Sequence, residues 1–318
     1  MEGIKIQNLS VDMGCKVSGY IKVTNTELLL PITLISGKRE GKTVLITGGI
    51  HNSEYVGIQA AIELANNINP DDICGNVIIM PLINRTGFEN RTMSLTYEDN
   101  KNLNREFPGN KDGTLSERIT YFMEKELFSI SDYYIDLHCG DGYEDLIHYV
   151  YCQGKANDEI KYWSRKMAEA VNVDYIVESQ YDKGGAYNYA GSIGLPGILL
   201  ERGCMGKWSK EEVEADKKDV ESVLSVLGVL DTENLLKNNN AKFITNTIYE
   251  NSKYTGCWYP NYKSGDFFKK GDILGTVKDY FGNTLDICTA KVDGVILYQT
   301  GSLSILKDGP MIAYGELI

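Results

Sequence analysis

The chain has 318 residues, of which 42% are hydrophobic, and this size suits one large folded core with a smaller second one rather than a disordered protein. Its formal net charge of -12 and its lack of any Lys/Arg-rich run argue against a nucleic-acid partner. No segment reaches the roughly 20 apolar residues that a membrane span needs, and no signal peptide is evident, so we expect a cytoplasmic protein without a membrane partner.

The first part of the chain predicts alternating strands and helices. Strands are expected at Ile4–Ile6, Gly19–Val23, Leu28–Leu34 and Val44–Ile46. The last of these ends in Thr47-Gly48-Gly49. Apolar residues then recur at helical spacing from Glu54 to Ile68, and Pro70 ends the pattern.

The same alternation continues to about residue 230. Strands are predicted at 77–82, 133–138, 147–152, 175–177 and 198–201, and helices at 114–128, 156–171 and 210–228. Thr114 and Glu117 have the spacing of a capping box. The order predicts an α/β domain with a mostly parallel or mixed sheet. Residues 84–113 show no convincing periodicity, and loops of this length are usually functional or disordered.

The pattern changes after Asp231. Asn238-Asn239-Asn240 indicates a linker, and beyond it short β runs alternate with glycine turns. We therefore predict two domains, an α/β domain at 1–235 and a small all-β domain at 241–318.

Histidines are few, which makes their positions informative: they stand at 51, 138 and 148. In GGIHNSE the glycines allow a tight turn, so His51 and Glu54 can approach one point where a strand passes into a helix. His138 ends an apolar strand and shares a face with Asp136. Two histidines and a glutamate would leave a fourth position for water, as in catalytic zinc sites, and Asp136 could orient His138. Read alone, the HxxE spacing is a weak signal, because a histidine at a strand end is more often structural.

Four segments in order, GGIHNSE, NLNREFPG, IDLHCG and ILLERG, resemble the zinc carboxypeptidase superfamily, specifically its succinylglutamate desuccinylase/aspartoacylase branch. The resemblance covers nearly the full chain. It implies a zinc-carboxypeptidase-like mixed sheet with helices on both faces, followed by a barrel-sandwich-like β domain. It also implies one zinc ion (Zn2+) per chain, held by His51, Glu54 and His138, as in carboxypeptidase A, a standard example of such a site.

The resemblance assigns further roles. Glu201, at the end of an apolar strand, matches the family's general base, although alone it would read as an ordinary strand-end carboxylate. Asn104 and Arg105 match the substrate-binding motif, since a guanidinium suits a substrate carboxylate or a scissile carbonyl. Arg91 is a further substrate-binding candidate in the same loop. Arg85 is a weaker one, because exposed arginines are usually only solvated.

The sequence departs from the family pattern at two places that concern the substrate. Asn84-Arg85 stands where relatives commonly have Asn-Pro, and residues 189–195 lack the arginine that aspartoacylase-type enzymes use shortly before the catalytic glutamate. An acidic acyl group such as succinyl or aspartyl is therefore disfavoured. Arg202 does not replace the missing arginine, because adjacent strand residues face opposite sides.

Other reactive residues are interpreted as structural. His148 lies in a β-like run and is expected to be packed or half exposed. Cys139 and Cys204 flank the candidate site without a free histidine base, and all seven cysteines are expected to be free thiols. The turn at 279–283 has no lysine, so the β domain is expected to narrow the site or support assembly rather than to carry a cofactor.

The sequence thus predicts a zinc-dependent hydrolase that cleaves the amide bond of an N-acyl amino acid or similar small acylated amine. The alternatives are a metallocarboxypeptidase acting on short peptides and a catalytically silent metal- or metabolite-binding homologue. The expected partner is a small acylated substrate, and the sequence leaves formation of a homo-oligomer open.

Overall fold

The computed structural model describes residues 2–231 and 240–317, so most of the predicted Asn238–Asn240 linker lies outside the described residues. Within the described ranges, no helix combines the length and apolar character needed to cross a membrane. The strands, in chain order, are β1 (Glu2–Ile6), β2 (Leu9–Asp12), β3 (Cys15–Lys22), β4 (Leu29–Ser36), β5 (Arg39–Gly48), β6 (Cys74–Met80), β7 (Tyr133–His138), β8 (Glu144–Leu146), β9 (Tyr149–Gln153), β10 (Tyr175–Ser179), β11 (Gly197–Glu201), β12 (Lys242–Ile244), β13 (Thr247–Asn251), β14 (Gly256–Pro260), β15 (Phe267–Phe268), β16 (Ile273–Lys278), β17 (Thr284–Thr289), β18 (Gly294–Thr300), β19 (Ser304–Ile305) and β20 (Pro310–Glu316).

The α helices follow the predicted positions with two additions, α2 and α5. They are α1 (Tyr55–Asn67), α2 (Arg85–Asn90), α3 (Leu115–Phe122), α4 (Asp158–Glu169), α5 (Ala186–Ser192) and α6 (Lys210–Val226). The capping box of Thr114 and Glu117 at the start of α3 is confirmed. The α helix predicted to reach residue 128 ends at Phe122 and widens into a π-helical turn at Met123–Leu127.

The stretch at 84–113, interpreted from its lack of periodicity as a long loop, is not a loop throughout. This stretch contains α2 and a 3-10 turn at Leu103–Arg105. The side chain of Asn84 caps α2 by accepting a hydrogen bond from the Gly87 N–H at 3.1 Å. Both elements are too short to show a 3.6-residue repeat, which is why sequence periodicity does not reveal them.

A nine-stranded sheet organises the α/β part of the chain. Its strand order is β12-β10-β9-β11-β7-β5-β6-β4-β3. The central strands β11, β7, β5 and β6 are parallel to one another, whereas β9 and β4 pair antiparallel with this group. The predicted fold class, an α/β mixed sheet with an all-β C-terminal part, is confirmed.

Two apolar cores cover the two faces of this sheet. Successive side chains of a strand point to opposite faces, so Leu45 of β5 joins one core while Val44 and Ile46 join the other. The core that contains Val44 is closed by α1, α4 and α6, and the opposite one by α3 and α5. Burial on both faces explains why the central strands read as continuous apolar runs.

The parallel arrangement brings three strand ends to one edge of the sheet. In β11 and β7, Glu201 is the register partner of His138. In β7 and β5, Leu137 is the partner of Gly48, three residues before His51. Ligands bind at this carboxyl edge in open α/β sheets, so the fold gathers the candidate residues where a site is expected.

The C-terminal part is built from a four-stranded and a five-stranded antiparallel sheet, but it exchanges strands with the α/β part. β12, which the sequence analysis assigned to the β domain, pairs parallel with β10 at the edge of the large sheet. Conversely, β8 pairs with β18 of the β domain. A three-residue strand carries no local signal for the sheet that it joins, since pairing partners are distant in sequence.

Candidate metal centre and active site

The turn after β5 places the first two candidate ligands. Gly49 has φ +65°, and a Cβ there would lie 2.8 Å from Leu82 and 3.0 Å from Ile58, so the position requires glycine. The chain then passes through His51 and begins α1 with Glu54 as the N-cap residue. His138 comes from the end of β7, where it is 2% exposed.

Three side chains converge on one point. His51 Nδ1 lies 2.7 Å from Glu54 Oε1, and His138 Nδ1 lies 2.8 Å from Glu54 Oε2. One ligand atom from each of the three residues lies within 4.8 Å of the others. The two imidazole rings meet edge to face, with centroids 5.1 Å apart. The Nδ1 atoms of both rings therefore face the same carboxylate.

The outer nitrogen of each ring also has a partner. His51 Nε2 lies 3.0 Å from Asn102 Oδ1, and His138 Nε2 lies 3.1 Å from Asp136 Oδ2. An oxygen at this position favours the tautomer with a proton on Nε2, which leaves the Nδ1 lone pair directed inward. The second contact has poor hydrogen-bond geometry, so His138 Nε2 and Asp136 Oδ2 are buried without a hydrogen bond among the described residues.

Neighbouring groups donate hydrogen bonds to the carboxylates of Asp136 and Glu54. Thr47 donates its hydroxyl to Asp136 Oδ1 at 2.7 Å, and Asp136 is fully buried. The backbone N–H of Cys139 donates to Glu54 Oε2 at 3.2 Å. Sequence reasoning anticipated Asp136 but missed Asn102, which lies 51 residues from His51 along the chain.

The charges around the centre favour a bound cation. Burial opposes ionisation of Glu54, but the charges of His138 and His51 outweigh it and lower the pKa of Glu54 to about 2. Burial also opposes protonation of His138, yet the charges of Glu54 and Asp136 raise its pKa well above the usual range. Protons thus neutralise the carboxylates when no metal is bound, and a divalent cation can take over that role.

The donor set fits a transition metal. Two imidazole nitrogens and one carboxylate suit zinc, and in catalytic zinc sites three protein ligands leave a further position open. The His51 side chain is 14% exposed, whereas those of Glu54 and His138 are each 2% exposed, so solvent reaches the cluster from the side of His51. The inward Nδ1 atoms and their oxygen partners on Nε2 are what such a site requires.

Glu201 stands beside this cluster at the end of β11. It is partly buried, and burial together with the charge of Glu54 raises its pKa well above the usual range, although His138 acts in the opposite direction. A carboxylate with a raised pKa accepts a proton more readily than an exposed one. Glu201 thus has the position and the electrostatic surroundings that a general base needs.

The three candidate substrate-binding residues differ in burial and in their partners. Asn104 is buried, and its Oδ1 accepts a hydrogen bond from the Ala186 N–H at 2.8 Å, so part of this side chain serves to cap α5. Arg105 is exposed, and its charge acts on Tyr298 of the β domain. Arg91 is exposed at the end of α2, where its backbone N–H donates to the Phe88 carbonyl at 3.2 Å, and its side chain makes no hydrogen bond or ion pair within the described part of the chain.

Sequence reasoning missed a second group of residues near the centre. Glu144, at the start of β8, is influenced by the charges of Asp141, Glu54 and His51. Tyr298 is influenced by Glu144 and Glu201, and Tyr249 is influenced by Glu201. The tyrosines belong to β18 and β13, so the β domain contributes side chains to the cleft. The pairing of β8 with β18 and the contact between the Tyr151 and Tyr249 hydroxyls help to bring them together, and no local motif signals either contact.

The residues interpreted as structural lie outside the cluster. His148 Nδ1 lies 3.1 Å from Arg202 Nη1 and 3.5 Å from Glu212, and its side chain is 38% exposed. Arg202 pairs with the buried Asp219 of α6 at 2.5 Å. All seven cysteines are free thiols, as predicted, and burial raises the pKa of the Cys139 thiol well above its usual range.

Comparisons with known proteins agree with this architecture. A family model described as the succinylglutamate desuccinylase/aspartoacylase catalytic domain matches residues 40–227. The chain is 27% identical over 275 residues to an N-alpha-acetyl-L-2,4-diaminobutyric acid deacetylase of Halomonas elongata, covering 82% of this chain and 79% of the relative.

Solved structures show the same fold. The product-bound ectoine utilization protein EutE (DoeB) of Ruegeria pomeroyi has a TM-score of 0.87 and 24% identity, with 100% of this chain and 98% of that chain covered. A succinylglutamate desuccinylase/aspartoacylase of Rhodobacter sphaeroides has a TM-score of 0.82 and 21% identity, with 95% of each chain covered.

Proposed function

The chain belongs to the succinylglutamate desuccinylase/aspartoacylase family, and on that premise we propose that it is a zinc-dependent hydrolase that cleaves the amide bond of an N-acyl amino acid. The observation that carries the proposal is the meeting of His51, Glu54 and His138 beside the strand-end carboxylate of Glu201. The deacetylase relative supports amide hydrolysis, and its substrate is a small acylated amino acid rather than a peptide.

In this proposal His51 Nδ1, His138 Nδ1 and one carboxylate oxygen of Glu54 hold one zinc ion. When bound, zinc supplies Lewis-acid polarisation of the scissile carbonyl and makes an attacking water more acidic. Asn102 and Asp136 keep the two imidazoles oriented through their Nε2 atoms.

Glu201 moves the protons of the reaction. Its carboxylate takes a proton from the attacking water and later delivers it to the nitrogen of the leaving amine. Burial and the charge of Glu54 raise the pKa of Glu201, which favours its role as a proton acceptor, and a bound zinc ion would act in the opposite direction.

Arg105 is the group that we propose to bind the substrate carboxylate. It is exposed, and its charge acts on Tyr298. Its Nη1 donates to the Asn104 carbonyl at 2.8 Å, so the remaining N–H groups of the guanidinium are the ones available to a substrate carboxylate. Asn104 has its Oδ1 committed to α5, so only its Nδ2 remains for the substrate. Arg91, whose side chain has no hydrogen-bond or ion-pair partner within the described residues, is proposed as a second guanidinium at the rim.

The β domain favours small substrates over peptides. We propose that the predicted 241–318 domain narrows the cleft of the 1–235 catalytic domain. Tyr249 and Tyr298 of that domain are close enough to Glu201 for its charge to act on both. A long peptide would have to pass these rings, which disfavours the carboxypeptidase alternative.

The test combines metal analysis with a panel of N-acyl amino acids assayed for amine release. Wild type is expected to contain about one zinc per chain and to release the amine, while His51→Ala and His138→Ala lose the metal. His148→Ala is the matched control, since the third histidine lies outside the cluster and its variant should keep the metal.

Glu201→Gln separates catalysis from metal binding. It should retain zinc and lose at least about a hundredfold in kcat, the lower end of a general-base effect. Retention of zinc in both metal-ligand variants would refute the ligand assignment. If wild type loaded with zinc cleaves peptides but no acylated amino acid, the carboxypeptidase reading replaces this one.

A further inference from the structure

Glu144 lies in the cleft without a lysine or arginine side chain paired with it among the described residues. Its main chain is fixed, because its N–H donates to the Asp141 carbonyl at 3.1 Å and its carbonyl accepts from the Met205 N–H at 2.8 Å. β8 is held on its other side by β18, where Thr300 is the partner of Glu144. The carboxyl group is thus carried on a rigid strand rather than on a free loop.

The surroundings of this carboxyl group are mostly acidic. Burial and the charges of Asp141 and Glu54 raise its pKa to about 7, and the cation that acts on it is His51. Asp141 differs, because the Tyr143 N–H and the Ser94 hydroxyl both donate to its carboxylate. In the ranges that the structure describes, Glu144 forms no ion pair with lysine or arginine.

Tyrosines face the same space. The rings of Tyr249 and Tyr298 have centroids 6.4 Å apart, and the hydroxyl of Tyr249 lies 3.2 Å from that of Tyr151. Burial raises the pKa of all three, so they stay neutral across the physiological range. Neutral aromatic faces stabilise a cation that is stripped of water.

The cleft therefore carries a positive group and a negative group at separate positions. Arg105 is the cation that acts on Tyr298, whereas the carboxyl groups of Glu144 and Glu201 act on the same tyrosine. Glu201 is assigned to proton transfer in the proposed function, which leaves Glu144 as the carboxyl group for a substrate cation. A substrate with a carboxylate and a separate positive group matches this pair, whereas a second carboxylate near Glu144 would be repelled. Like charges placed together in a binding site are among the stronger ways to reject a ligand.

We propose that Glu144 is a specificity-determining residue that binds a positively charged group, an ammonium or guanidinium, on the side chain of the N-acyl amino acid. This inference rests on the proposed amide hydrolysis and adds its substrate class. The carboxylate of Glu144 accepts hydrogen bonds from the cation, and the ring of Tyr298 shields them from water. The acyl group itself needs no charge.

The test uses pairs of substrates that differ by an ammonium in place of a methyl group. Nα-acetyl-2,4-diaminobutyrate is paired with N-acetylnorvaline, and Nα-acetylornithine with N-acetylnorleucine. Hydrogen bonds to a charged group correspond to roughly 10- to 100-fold, so wild type should prefer the cationic member by that factor in kcat/KM. Glu144→Gln should reduce the preference to less than about threefold.

Asp145→Asn is the matched control. Asp145 neighbours Glu144 on β8 but points to the opposite face, where its carboxylate lies 3.4 Å from the Ser264 N–H. This variant removes the same charge and should keep the wild-type preference. Equal loss in both variants would indicate a general effect of net charge and would overturn the proposal.

The outcomes separate this inference from the function on which it rests. If wild type hydrolyses neutral and cationic members equally well, Glu144 does not select for charge, while amide hydrolysis stands. If zinc-loaded wild type hydrolyses none of the four, the proposed function itself fails. Should Glu144→Gln not fold, inhibition of wild type by free diaminobutyrate and by norvaline gives the same comparison, and equal inhibition overturns the proposal.

Discussion

Replacing Asp136 by asparagine tests how the protein holds its metal ligand. Asp136 is fully buried. It accepts the Thr47 hydroxyl on Oδ1 and faces His138 Nε2 with Oδ2 at 3.1 Å. Asparagine keeps one oxygen, so either the Thr47 hydroxyl or His138 Nε2 would face an amide NH2 group in place of a carboxylate oxygen. The variant keeps the size of the side chain and removes one acceptor and the charge.

The expected loss can be worked from these contacts. Removing the outer partner of a metal-bound histidine weakens metal affinity by roughly 10- to 100-fold, or about 1.4 to 2.8 kcal/mol. Asp136 also helps to raise the pKa of His138, against the effect of burial, so its loss weakens proton competition at the same nitrogen. The two effects oppose each other, and we expect a net loss near tenfold at neutral pH.

The measurement is a competition titration for zinc against a chelating indicator. Asp132→Asn is the control, because Asp132 precedes the same strand and pairs with Lys42, away from the metal cluster. The control should bind zinc like wild type. Wild-type affinity in Asp136→Asn would refute the idea that this carboxylate orients His138.

Three further predictions concern stability. Burial and the charge of Asp219 raise the pKa of Asp216 to about 8, so the folded state binds more protons than the unfolded state between about pH 4 and 8. The free energy of unfolding should therefore fall by up to roughly 5 kcal/mol as the pH rises through that range. Asp216→Asn should reduce this pH dependence in thermal unfolding scans. Arg202→Met leaves the buried Asp219 unpaired and should cost about 3 to 5 kcal/mol in urea unfolding, partly recovered in the double variant with Asp219→Asn. Asn104→Ala removes the acceptor for the Ala186 N–H and should cost about 1 to 3 kcal/mol, whereas Asn104→Asp keeps an acceptor and should cost less.

Each of these has an opposing result. An unchanged pH slope in Asp216→Asn would mean that the carboxyl group ionises in the folded protein at little cost. Failure of Asp219→Asn to rescue Arg202→Met would show that the guanidinium stabilises through other partners, such as the Asn172 carbonyl. Equal stability of Asn104→Ala and wild type would show that the cap on α5 contributes nothing.

The convergence of His51, Glu54 and His138 can be predicted from the sequence because these residues lie at or just after strand ends. β5, β7 and β11 are buried on both faces and read as apolar runs, so the positions of His51, His138 and Glu201 relative to them can be inferred. Parallel pairing of neighbouring strands then brings the three residues to one edge.

The remaining parts of the site depend on contacts between distant segments. Asn102 reaches His51 from a loop without periodicity, and Glu144 meets Tyr298 only because β8 pairs with β18. Asn104 has a second role that its motif does not reveal, since its partner Ala186 lies 82 residues away. Local patterns predict elements and their ends, whereas these contacts are properties of the tertiary fold.

The exchange of β8 and β12 between the two parts of the chain limits how the protein can be truncated or combined with domains of its relatives. A fragment ending near residue 231 would lose β12 from the edge of the large sheet, and its β8 would have no β18 to pair with. Since β8 carries Glu144, such a fragment would leave one wall of the cleft unsupported. The C-terminal part therefore cannot be exchanged as an independent unit, because grafting it from a relative would also replace the strands that pair with β8 and β10.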